Sequence, residues 1–163
     1  MTSVRTRLLL IAATLLSGVL AGGVVDRVVV GGAAWHVLGA EAWVQYSRYA
    51  DLGTGLVAYP VEAIGSALLI VAALASHILD RTPERTARNA LYVALVLSAV
   101  GLLLTVKAAP IMLGLAAPQS ASASQAAFDE FLLWGLYLRG AADLGAFAAL
   151  LWALSSLQRR KSR

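Results

Sequence analysis

The sequence predicts an all-α protein, a four-helix transmembrane bundle with a short interfacial segment between its first and second helices. Three observations predict it. The 163 residues are 60% hydrophobic and 13% charged, with a mean hydropathy of +0.76, whereas a soluble domain carries about 25% charged residues. The apolar residues fall in four continuous blocks rather than in alternation, which argues against a sheet or barrel. Each block reaches the ~20 residues needed to cross ~30 Å of hydrocarbon. The whole chain reads as a single integral membrane domain.

The first block runs from about Leu8 to Val30. Arg5 and Arg7, then Leu8–Leu16, then Val19-Leu20-Ala21 also match the layout of a cleavable signal peptide. The apolar run continues past that point, so the block is read as a retained helix. The second block spans about Leu52–Leu79, the third Ala87–Leu115 with Pro110 near its end, and the fourth Phe128–Leu157. Between the first two lies the aromatic and polar segment Gly31–Asp51, with Trp35, Trp43, Tyr46 and Tyr49. Such rings collect at membrane–water interfaces. Ala40–Tyr49 is expected as a short helix capping the bundle, and Pro118–Gln125 as a flexible loop.

Lys and Arg in short loops set orientation. Arg5 and Arg7 precede helix 1, Arg81, Arg85 and Arg88 lie between helices 2 and 3, and Arg159, Arg160, Lys161 and Arg163 follow helix 4. Both termini and the second loop are therefore expected in the cytoplasm, with the protein multi-pass in a plasma membrane, the inner membrane of a bacterium. The net charge of +4 is explained by this topology and does not call for nucleic acid as a partner. The bilayer is the expected partner, with a homo-oligomer as a further possibility: the small residues Gly18, Gly22, Gly135, Gly140 and Gly145 permit close helix approach in lipid, equally within the bundle or at an oligomer interface. There are no cysteines, which excludes disulfides, iron–sulfur clusters and thiol chemistry. Two histidines, His36 and His77, are too few for a multi-histidine metal site within one chain, and no metal is assigned.

Six ionisable residues fall within or at the ends of the blocks: Asp26, Arg27, Glu62, Lys107, Arg139 and Asp143. A rise of 1.5 Å per residue, counted from the cytoplasmic boundaries, puts them ~21–30 Å from the inner face. Intramembrane charges are costly and usually face a protein interior or a wet cavity. Arg139 and Asp143 are four apart and share a helix face. Lys107 is the natural partner for Glu62. Asp26 and Arg27 also read as the outer rim of helix 1. The sharper set is thus Glu62, Lys107, Arg139 and Asp143, as catalytic candidates. Glu62 or Asp143 would act as general base, and Lys107, Arg139 or a tyrosine as electrophilic stabiliser. Tyr59, Tyr49 and Trp134 are candidate substrate contacts. Such rings serve more commonly as belt or packing residues. His36 suits proton transfer or haem ligation, so the cofactor expectation is none or haem b. His77 reads as a boundary residue. An ion-pair network that only registers the helices is the alternative for the whole set.

The layout carries a resemblance. Ser17-Gly-Val-Leu-Ala-Gly-Gly23 in helix 1, the polar aromatic segment before helix 2, and Phe131-Leu-Leu-Trp-Gly-Leu-Tyr-Leu-Arg-Gly140 in helix 4 resemble the anthrone oxygenase-like group of small membrane proteins, over about Leu8–Leu154. That resemblance implies oxidation of polyketide-like aromatics with no or a poorly defined cofactor. In size and topology alone the chain is also similar to styrene oxide isomerase-type enzymes, which use haem as a Lewis acid. The functional expectation is a membrane enzyme acting on a small lipophilic substrate, by acid–base or by oxidative or isomerase chemistry. The alternatives are an oligomeric solute or ion binding and transport module, and an accessory assembly subunit.

Overall fold

The computed structural model describes residues 3–80 and 84–159. Arg81, Arg160, Lys161 and Arg163, used above for orientation, lie outside the described residues. Helix α1 (Val4–Asp26) continues through a wide π-helical stretch (Arg27–Gly31) into α2 (Gly32–Leu38). Helix α3 (Ala40–Tyr49) leads through a second π stretch (Ala50–Thr54) into α4 (Gly55–Ile78). Helix α5 covers Arg85–Gly114. Helix α6 (Ala121–Phe131) passes through a third π stretch (Leu132–Leu138) into α7 (Arg139–Arg159). Four helical rods, Val4–Leu38, Ala40–Ile78, Arg85–Gly114 and Ala121–Gln158, are long and apolar enough to cross a membrane. Among the described residues there is no strand.

The expected helix Ala40–Tyr49 is present with those bounds. Two expectations are corrected. Helix 1 does not stop at Val30 but runs to Leu38, because Gly39 is the residue that turns the chain. Its φ of 88° is the one positive φ among the described residues, a conformation that glycine adopts without steric cost. The stretch Pro118–Gln125 is not a loop throughout. The Ser120 hydroxyl accepts from the Ala123 amide at 3.3 Å and starts α6 at Ala121, as an N-cap serine does.

One core joins Leu10, Ile70, Leu74, Leu91 and Leu150 of α1, α4, α5 and α7, toward the end of the bundle away from α3. A second, at the capped end, gathers Trp35, Trp43, Leu115, Phe128, Phe131 and Leu136. Trp43 is fully buried, its ring 5.3 Å from both Phe128 and Phe131. This cluster pins α3 as a roof, and Arg48 fastens it further by donating to the carbonyls of Leu115 and Ala117 at 2.6 and 2.8 Å. Hydroxyl pairs tie α1 to α4: Ser17 with Ser66, and Thr6 with Ser76 at 2.8 Å.

The opposite end carries a polar knot around His77, which stands in the last turn of α4 as expected of a boundary residue. His77 is completely buried. Its Nε2 lies 3.0 Å from the Glu84 carbonyl and its Nδ1 3.7 Å from Asp80. Asp80 also accepts from the Ser3 amide at 3.2 Å. These contacts close the inter-helix turn onto the start of α1.

Candidate functional site

Beneath the roof is a cavity of about 450 Å3, bounded by α1, α4, α5, the α3 roof and the third π stretch. This is within the range of small-molecule pockets, roughly 300–1,000 Å3. Its walls are mainly apolar, from Leu20, Val24, Leu56, Met112, Phe131 and Leu136 among others. Five charged residues line it: Asp26, Arg27, Asp51, Glu62 and Arg139.

The polar corner is built where two helices widen. Arg27 opens the first π stretch and Asp51 lies in the second. The extra residue in a π turn redirects side chains, and such turns recur at functional sites. The second stretch is also broken at Gly53, whose φ/ψ of −87°/−117° is not helical. The result brings Asp51 over Arg27. The Arg27 guanidinium donates to the Asp51 carboxylate and, at 2.7 Å, to the Tyr59 hydroxyl. Tyr59 in turn donates to Asp51 at 3.2 Å, and its ring lies 4.8 Å below the guanidinium carbon. Asp51 is 3% exposed, and its Oδ2 takes no hydrogen bond among the described residues. Both bonds from Arg27 leave through one terminal nitrogen, Nη2. Gly55 makes this corner possible. A Cβ there would sit 2.6 Å from the Tyr59 ring and 2.8 Å from the Ala50 carbonyl oxygen.

The structure brings together some of the expected residues and not others. Glu62 lies three residues beyond Tyr59, on the same face of α4, and both line the cavity. Arg139 lines it from α7 and pairs with Asp143 at 3.4 Å, as the four-residue spacing predicts. Asp143 itself sits one turn further from the roof, 7% exposed, beside a smaller void. Lys107 does not join the set. It is exposed, does not line the cavity, and forms no ion pair with Glu62. The spacing argument placed it at the right depth, but it lies on the outward face of α5. Tyr49 is 85% exposed, and half-buried Trp134 lies outside the cavity wall. Neither reaches a ligand there.

His36 is exposed and also outside the cavity. Its Nδ1 lies 2.7 Å from the Gly32 carbonyl, and its ring meets Phe128 edge-on. A haem in the cavity would need an axial donor facing it, and His36 does not fit that role. Among the described residues no group of three or more His, Cys, Asp or Glu side chains is placed to hold a metal ion.

Arg27 and Asp51 are the residues that sequence reasoning undervalued. Arg27 read as a rim residue and Asp51 as the last residue of the interfacial segment. The available signal was their opposite charge at the facing ends of successive blocks. No protein-family model matches the chain, and comparisons with curated proteins and with solved structures give no match.

Proposed function

We propose that this protein is an integral membrane enzyme that takes a small lipophilic molecule into the capped cavity and transfers a proton on it. The observation that carries this reading is the meeting of Glu62 with the Arg27–Tyr59–Asp51 corner on one mainly apolar cavity. The apolar body of the substrate would lie against Leu20, Val24, Leu56 and Met112. A carbonyl oxygen would face the guanidinium N–H groups that Arg27 has left over. Glu62, which has no hydrogen-bond or ion-pair partner among the described residues, would remove a proton from the neighbouring carbon. The C–H bond breaks, its electron pair moves onto the oxygen as an enolate, and Arg27 offsets the new negative charge. Returning the proton to the same or a different carbon completes an exchange or isomerisation and consumes no oxidant.

Orientation follows the basic loops, so the roof would face outward and the substrate would enter from the outer leaflet of a plasma membrane. The resemblance to anthrone oxygenase-like proteins agrees with a lipophilic aromatic substrate. Its oxidative chemistry is not needed for the proton step.

The test uses protein in lipid vesicles and a panel of cavity-sized ketones, beginning with 2-tetralone, in D2O. Mass spectrometry should show deuterium entering the α-carbon faster than with empty vesicles. Glu62→Gln should lower that rate by about 100-fold or more, the usual contribution of a general base. No acceleration across the panel, or wild-type rates in Glu62→Gln, overturns the proposal.

A further inference from the structure

Next to the main cavity lies a small void of about 10 Å3, bounded by Ser98, Gly101, Thr105, Arg139 and Asp143 with apolar neighbours. It shares Leu20, Ala63, Leu102, Thr105 and Arg139 with the cavity wall, so the two spaces adjoin. Asp143 and Ser98 are 7% and 8% exposed. Asp143 uses Oδ2 toward Arg139, at a long 3.4 Å, while its Oδ1 and the Ser98 hydroxyl take no hydrogen bond within the described residues. The direction of Oδ1 is fixed by Gly101: a Cβ on that residue would lie 2.7 Å from it. Thr105 is already committed, its hydroxyl donating to the Gly101 carbonyl at 2.9 Å.

A carboxylate oxygen and a hydroxyl on two nearly buried residues, without partners among the described residues, are costly in an apolar bundle unless water reaches them through the void. A single water needs roughly 10–15 Å3 of space for its centre and two to four polar partners. The void meets the lower limit of the first condition, and Asp143, Ser98 and Arg139 supply the second. A water there would donate to Asp143 Oδ1, bond the Ser98 hydroxyl and keep its other O–H for the cavity side.

We infer that this void is a site for one ordered water, and that the water makes Asp143 a second proton-handling group beside Glu62. The first half stands on the void alone; the second rests on the proton-transfer reading above. Asp143 then acts as a positioning residue. It acts through the water, and it also holds Arg139 against the cavity wall. Gly101 is required because a Cβ there would press on Asp143 Oδ1, the atom that accepts from the water.

A crystal structure of the full chain from lipidic mesophase, near 2 Å resolution, tests the first half. Density for one water about 3 Å from Asp143 Oδ1 and Ser98 Oγ is expected. Gly101→Ala should remove it. An empty void, or a void closed by a side chain, overturns the site. Should Gly101→Ala fail to fold, Ser98→Ala, which removes one partner and no packing neighbour, serves instead, with weakened or absent density expected. Unchanged density in Ser98→Ala overturns the assigned partners. The second half is tested by the deuterium exchange of Ser98→Ala. The rate is expected to fall about two- to tenfold, the loss of one neutral hydrogen bond to the water, with KM for the ketone unchanged. An unaltered rate overturns it. Density for the water with no exchange in the wild type sinks the proton-transfer reading and leaves the water site standing.

Discussion

Arg27 and Asp51 would each be an isolated charge at the end of an apolar block if the flanking helices were regular. Two wide turns rotate them toward each other, and Tyr59 closes the triangle. Sequence alone gave Arg27 no partner, because the 24-residue separation from Asp51 is closed by π geometry that no local propensity announces. Arg139 and Asp143 were legible because regular helix puts residues four apart on one face. Lys107 failed for the complementary reason: a depth count fixes position along a helix and says nothing about the side it faces. At the opposite end, Glu84 caps α5 with its own carboxylate, accepting from the amides of Thr86, at 3.0 Å, and Ala87. Partial burial pushes its pKa up, yet the Ala87 and Thr86 amides, the Thr86 side chain and nearby His77 together hold it below the ordinary 4.5. A folded-state pKa below the unfolded one stabilises the fold above the unfolded value. That contribution fades as pH falls from about 4.5 through the folded pKa. Glu84→Ala should therefore cost about 0.5–2 kcal/mol at pH 7. Thermal unfolding of both proteins in one detergent should show the gap narrowing below pH 4.5.

Between elements, small residues set how near the helices come. A Cβ on Gly140 would lie 2.5 Å from Val24 Cγ1, so α1 and α7 meet with no room for a side chain. This agrees with the small-residue pattern read along helix 4, which left bundle packing and oligomer contact equally open. Gly140 serves the bundle. Gly140→Leu should destabilise by about 1–3 kcal/mol or more through overpacking, and Gly140→Ala by less. The check is the midpoint of unfolding in a mixed detergent titration. Smaller losses for Leu than for Ala would show that α7 can move away from α1. The α3 roof was foreseen with its bounds because its aromatic residues differ so plainly from the blocks around it. The start of α6 was not, since Ser120 is one of several serines in a run and only geometry shows which one caps.

As a whole molecule, the bundle puts a mainly apolar middle below a roofed polar corner. The number of spans was legible from block length and continuity, while the cavity was not, because its walls come from five separate stretches of chain. The orientation proposed above, read from the positive-inside pattern, puts the roof on the outside. The lack of cysteine makes this simple to examine with single-cysteine variants in intact cells. Ser122→Cys, near the roof, should react with a membrane-impermeant maleimide, and Asn89→Cys, at the start of α5, should react only after lysis. The reverse pattern would invert the topology.

The hydroxyl pairs between α1 and α4 bear on how the protein is made. They join the two spans of this bundle that are synthesised before the other two, and each bond between membrane helices contributes about 0.6 kcal/mol on average. Arg27 and Asp51 belong to the same half of the chain. The N-terminal hairpin therefore carries its own internal contacts and a neutralised charge pair before the third span leaves the ribosome. The later half would then assemble against a partner surface already in place, bringing Arg139 and Asp143 to a corner that has already formed.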